Sequence, residues 1–165
     1  MQGVEFAWRV HAAQEQWATR ADSKAAVVFT VEGAVIAAVV AAFGNAALAD
    51  SMSGWRLLVV WLGILSSTVA VVTAFLVVIP RLGGRWQLAR ESHFIYFGHL
   101  RSWTSAGLAE RLTGLSDPEQ IAQLSTQLSR AGVGNWRKYV LLRAAVIAAL
   151  LGALLLVLAF AWPRG

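Results

Sequence analysis

Apolar residues gather into three long runs separated by mixed stretches. The first covers residues 25–49 and contains one charge, Glu32. The second covers 57–79 and contains none, and the third, 139–162, contains only Arg143. Each exceeds the roughly 20 residues needed to cross ~30 Å of hydrocarbon. The pattern therefore predicts three transmembrane helices. Small residues crowd the first run (Ala25, Ala26, Ala34, Ala37, Ala38, Ala41, Ala42) and the third (Ala144, Ala145, Ala148, Ala149, Gly152). Small faces let helices approach closely in lipid, where no hydrophobic drive brings them together. A bundle or a homo-oligomer is expected rather than isolated spans.

The stretches between the runs read as helical. In the N-terminal arm Phe6, Val10, Ala13, Trp17 and Ala21 share one helical face. Trp86, Ala89, His93, Tyr96, Leu100 and Trp103 alternate steps of three and four, and Gly98 is placed to end or bend that helix. Thr104 suits the cap of a short helix carrying Leu108 and Leu112. Ser116-Asp117-Pro118-Glu119 has capping-box spacing with a proline in the first turn, followed by an apolar face of Ile121, Leu124 and Leu128. Gly132 and Gly134 are expected to end that helix, and Asn135 to start the last. No strand pattern and no internal repeat occurs. The expectation is an all-α membrane protein of one domain, residues 1–165. It comprises a cytoplasmic amphipathic arm (1–24), three spans (25–49, 57–79, 139–162) and a small helical cytoplasmic region (81–138).

Composition supports this class. The chain is 58% hydrophobic and 14% charged, against about 25% charged in an average soluble domain. Its mean hydropathy is +0.59. A disordered protein is excluded and an ordinary soluble enzyme is disfavoured. The absence of cysteine excludes disulfides, thiolate metal sites and a cysteine nucleophile. A formal net charge of +5 suits faces turned toward anionic lipid. The N-terminal arm carries Arg9, Arg20 and Lys24, and residues 81–138 carry eight more cations, whereas the loop after the first span has only Arg56 and the C-terminus only Arg164. Lys and Arg concentrate on the cytoplasmic side of membrane proteins, so the N-terminus is expected inside and the C-terminus outside. The first run has a long, acidic preceding segment and reads as a span rather than a cleaved signal. The cations spread along membrane flanks instead of forming one stripe, which argues against a nucleic-acid partner.

No catalytic constellation stands out. His93 and His99 lie six residues apart, unlike two ligands on one helix face, and no phosphate-binding glycine loop is present. No metal, no cofactor and no enzymatic activity is expected. The segment Phe94–Arg101 concentrates aromatics, imidazoles and a guanidinium. It fits an amphipathic helix near the membrane. It also fits a small-ligand site, in which Tyr96 with His93 and His99 would contact a base and Arg90 or Arg101 a phosphate. Glu32 lies about seven residues, or ~10 Å, inside the first span. Arg143 enters the third span to a comparable depth. The two can pair, or each can reach separately to the cytoplasmic surface. Glu32 can also serve a proton or ion pathway, since ionisable residues in membranes usually face the bundle interior or water. Asp22 suits the N-cap of the first span and Lys24 a headgroup anchor.

Three segments carry a resemblance. Arg20-Ala21-Asp22-Ser23-Lys24-Ala25 opens the first span, with Glu32-Gly33 within it. Tyr96-Phe97-Gly98 follows the second span, and Lys138-Tyr139-Val140-Leu141-Leu142-Arg143 enters the third. In type, order and spacing these resemble the transmembrane Pycsar effector family (PycTM-like proteins), over nearly the whole chain. One departure is Glu32, where asparagine is more usual. The resemblance implies a bacterial inner-membrane effector in antiphage defence. A partner pyrimidine cyclase, linked by function rather than necessarily by contact, would supply cyclic CMP or cyclic UMP. The 81–138 region would sense that nucleotide, and the effector would impair the inner membrane in abortive infection. Arg20, Asp22, Lys24, Gly98 and Lys138 are the motif residues. Two other readings remain open on the residues: a ligand-independent scaffold or accessory subunit, and a small ion channel or transporter using Glu32.

Overall fold

The computed structural model describes residues 2–44, 54–80, 95, 97–101 and 103–161. Among these the chain is helical and contains no strand. The helices are α1 (Gln2–Phe43), α2 (Trp55–Val78), α3 (Phe97–Leu100), α4 (Ser105–Thr113) and α5 (Asp117–Ala161). α1, α2 and α5 each hold a stretch long and apolar enough to cross a membrane. The all-α, three-span expectation is met.

Some boundaries differ from the sequence expectation. The N-terminal arm and the first span are one helix, because residues 19–25 contain neither glycine nor proline to interrupt it. Gly132 and Gly134 do not end a helix either: α5 runs through both. Each glycine costs about 1 kcal/mol relative to alanine, and helical residues on both sides carry the helix across. Asn135, expected as a cap, instead donates through Nδ2 to the carbonyl and side-chain oxygens of Gln14, at 2.9 and 3.0 Å. Gly98 lies inside α3; the helix expected ahead of it, from Trp86 to Tyr96, falls outside the described residues apart from Ile95, which is not helical.

A seam with steps of three and four runs along each long helix. On α1 it is Val4, Ala7, His11, Gln14, Ala18, Ala21, Ala25, Val28, Glu32, Val35 and Val39, all buried or half-buried. On α2 it is Val60, Gly63, Ser67, Ala70, Ala74 and Val77. On α5 it runs from Leu124 through Asn135, Lys138, Leu142, Ala145 and Gly152 to Leu156 and Ala159. This 3.5-residue period is that of left-handed helix packing. It displaces the face read from hydrophobicity in the N-terminal arm: Phe6 is 66% and Trp17 48% exposed. The seam selects small and polar residues that let backbones approach, not the largest apolar ones.

The helices form two compact units. One comprises Met1–Ala18 and Pro80–Trp136. Its buried side chains among the described residues include Leu124, Gln123 and His99. Thr104 caps α4 by accepting from the Gly107 amide at 3.2 Å. Glu119 closes the start of α5: its Oε2 accepts from the Ser116 amide at 3.0 Å and the Ser116 hydroxyl at 2.7 Å. Both caps fall where the sequence pattern put them.

The other unit comprises Thr19–Ile79 and Arg137–Gly165. Within it α1 and α5 run parallel and α2 antiparallel. Two apolar clusters set this register. Ala21 and Ala25 pack with Ala74, Val77, Leu142 and Ala145, while Val39 packs with Val60, Leu156 and Ala159. Between the clusters α2 and α5 nearly touch. A Cβ on Gly152 would lie 2.6 Å from Ser67 Oγ, 3.0 Å from the Ser67 nitrogen and 3.2 Å from the Gly63 carbonyl oxygen. Ser66 Oγ donates to the Ala148 carbonyl at 2.8 Å, and the Arg56 guanidinium to the Ala159 carbonyl at 2.9 and 3.2 Å. The outward faces carry exposed apolar residues such as Phe29, Leu58, Leu65, Leu150 and Val157. Such surface is stable against lipid but not against water.

Candidate functional site

Polar residues at or beside seam positions mark the candidate site, because burying one is costly unless it is paired. Where α1 and α5 enter the membrane unit, Lys138 Nζ donates to both carboxylate oxygens of Asp22, at 2.6 and 2.7 Å. The side chains are about one-third exposed, 30% for Lys138 and 36% for Asp22. Asp22 therefore does not cap a helix. It stands twenty residues into α1, where no free amide awaits a cap. The pair joins the Arg20–Ala25 and Lys138–Arg143 motifs, which sequence reasoning had kept apart. Arg20 and Lys24 are exposed, and their side chains make no hydrogen bond or ion pair among the described residues.

Deeper in the unit, Glu32 is 4% exposed. Its Oε2 has no hydrogen-bond partner, and neither has the buried Ser67 Oγ. Arg143 points away, exposed on α5, so the Glu32–Arg143 pair considered from depth alone does not form. Equal depth along two helices is insufficient: Glu32 is buried on the packed side of α1, while Arg143 is on the exposed side of α5.

In the other unit His99 is 4% exposed and belongs to α3, with Gly98 beside it. Arg101 is exposed just after that helix. Arg90, His93 and Tyr96, the remaining ligand-contact candidates, lie outside the described residues. Sequence reasoning missed the Gln14–Asn135 contact, which binds α1 to α5 within this unit. Its signal was a polar residue at the seam period on each helix. Glu119 is the perturbed acid of this unit. The Ser116 amide and hydroxyl and the Arg111 guanidinium hold its pKa down to about 2. Among the described residues no group of three or more acidic or imidazole side chains is arranged to hold a metal ion.

Three apolar helices packed on a small-and-polar seam, with further helices in a separate unit, define an all-α multi-pass membrane protein. Residues 6–164 match the family model of the Pycsar effector protein domain, PycTM. The chain belongs to that family and is a Pycsar antiphage effector. No curated protein and no solved structure matches it.

Proposed function

We propose that the effector senses a cyclic pyrimidine mononucleotide, cyclic CMP or cyclic UMP, and responds by impairing the inner membrane. It acts as a receptor and membrane toxin, not as a catalyst. Its N-terminus faces the cytoplasm and its C-terminus the outside. The unit containing His99 and Arg101 takes the nucleotide, whose phosphate needs a cation and whose base needs a flat or imidazole partner. The observation that carries this reading is the Asp22–Lys138 clasp. It joins two of the family's motif segments and ties α1 to α5 at the head of the bundle, where loosening it would free the packed seam. A nucleotide acts on such a switch only through different affinities for its two states. An exposed small face on α1 (Ala26, Thr30, Gly33, Ala34, Ala37, Ala41) supports assembly of copies in the membrane, since small residues permit close contact there.

The test uses the full chain in detergent and in liposomes of bacterial lipid. Thermal stability is measured with cyclic CMP, cyclic UMP, cyclic AMP and no ligand. A ligand preferring the native state raises stability by about 2.7 kcal/mol at a hundredfold excess over its Kd. A shift confined to one pyrimidine nucleotide, with release of a trapped ion indicator, is the expected result. Folded protein that shows neither shift nor release with any of the three nucleotides refutes the proposal.

A further inference from the structure

Seam register places three residues at one level of the membrane unit. Glu32 lies seven residues from Ala25 in one apolar cluster and seven from Val39 in the other. Ser67 lies midway between Val60 and Ala74, and Gly152 midway between Ala145 and Ala159. The 2.6 Å approach of a Gly152 Cβ to Ser67 Oγ places those two at one height. A polar layer thus interrupts the bundle, about 10 Å along the helix from each apolar cluster. Both of its side chains are more than nine-tenths buried: Glu32 at 4% exposure and Ser67 at 0%. Each has an oxygen with no hydrogen-bond partner.

The layer's one titratable side chain is the Glu32 carboxyl, and among the described residues no basic side chain pairs with it. Residues 57–78 of α2 contain no titratable side chain, and residues 144–161 of α5 contain none. The nearest cations along those helices are Arg143, exposed, and Arg56, occupied by the Ala159 carbonyl. Apolar packing does not require a carboxyl and a hydroxyl here, and in the packed state neither group is fully satisfied. Both would be satisfied by water if the seam opened.

We propose that this layer is the charge filter of the path the effector opens, with Glu32 supplying a negative site that admits monovalent cations. The inference rests on the membrane-impairing function above. When α1 parts from α2 and α5, water reaches the Glu32 carboxylate and the Ser67 hydroxyl. The opened seam then carries one acidic site per chain and no basic one at that level. Acidic side chains lining a narrow pore select cations by the same rule that operates in cation channels.

The test places the full chain in a planar bilayer under a potassium chloride gradient and opens it with cyclic CMP or cyclic UMP. Wild type is expected to give a reversal potential displaced toward that of potassium. Glu32→Gln should move it toward zero, with the nucleotide-triggered conductance retained, and Glu32→Asp should restore the displacement. A triggered conductance that is anion-selective, or equally selective in Glu32→Gln, overturns the inference, as does release of large dyes without selectivity; each leaves the membrane-impairing function standing. Absence of any triggered conductance or dye release defeats that function, and the filter falls with it.

Discussion

Removing the Lys138 ammonium tests the clasp directly. Two oxygens of Asp22 accept from one nitrogen at 2.6 and 2.7 Å. Fully exposed ion pairs contribute about 0–1 kcal/mol, and breaking a fully buried one costs about 3–5 kcal/mol. With both side chains about one-third exposed, Lys138→Met should cost about 1–3 kcal/mol, mostly because Asp22 remains partly desolvated and alone. Asp22→Asn should cost a similar amount. The double variant should recover part of the loss, because two neutral groups leave no orphaned charge. The assay is thermal unfolding of the four proteins in detergent as a double-mutant cycle, with basal ion leak of liposomes measured alongside. If the clasp holds the resting state, leak without nucleotide rises about tenfold for each 1.4 kcal/mol lost. Additive effects, with coupling below ~0.3 kcal/mol, would refute the pairing argument. Coupling without any rise in leak would keep the pair as structure but remove it from the switch.

Other expectations follow from the same geometry. Gly152→Ala should destabilise by about 1–3 kcal/mol through overpacking, since the new methyl meets Ser67 and Gly63 backbone atoms at 3.0 and 3.2 Å; unchanged thermal stability would contradict it. Gly134→Ala should instead stabilise by up to about 1 kcal/mol, because nothing lies within 4 Å of its Cβ position and only helix propensity changes. Asn135→Ala should cost about 1 kcal/mol and raise hydrogen exchange in residues 2–18, since Gln14 loses its partner; equal exchange would count against the contact. Glu119 has its pKa lowered from 4.5 to about 2. The stability it adds is present above pH 4.5 and is lost as pH falls toward about 2. Amide protection, corrected for the intrinsic exchange rate at each pH, should fall across that window at residues 116, 117, 119 and 120 in wild type, and Glu119→Gln should show no such transition; parallel curves would refute the assignment.

Much of the candidate site was visible residue by residue but not in its pairing. Asp22, Lys138 and Glu32 each stood out as charges at or within apolar runs. Asp22 reads as a cap because an apolar run begins three residues after it, and composition changes there although the backbone does not. Depth alone leaves Glu32 able to pair with Arg143 or to reach the surface separately, because it counts residues along a helix but ignores their angle around it. In the membrane segments nearly every position is apolar, so hydrophobicity cannot distinguish the packed side from the lipid side. The marker there is size and polarity at a 3.5-residue period, as in Ala21, Ala25, Glu32 and Val39.

Span number, helical class and the two caps at Thr104 and Ser116–Glu119 follow from local rules. A bilayer needs long apolar helices whose backbone bonds close within themselves, and a cap acts over three residues. The Asp22–Lys138 clasp and the isolation of Glu32 depend on contacts between residues more than a hundred positions apart or on the angle around a helix. Those contacts exist only once three helices share a seam, because rotation of a helix by one residue would exchange a buried carboxyl for a lipid-facing valine.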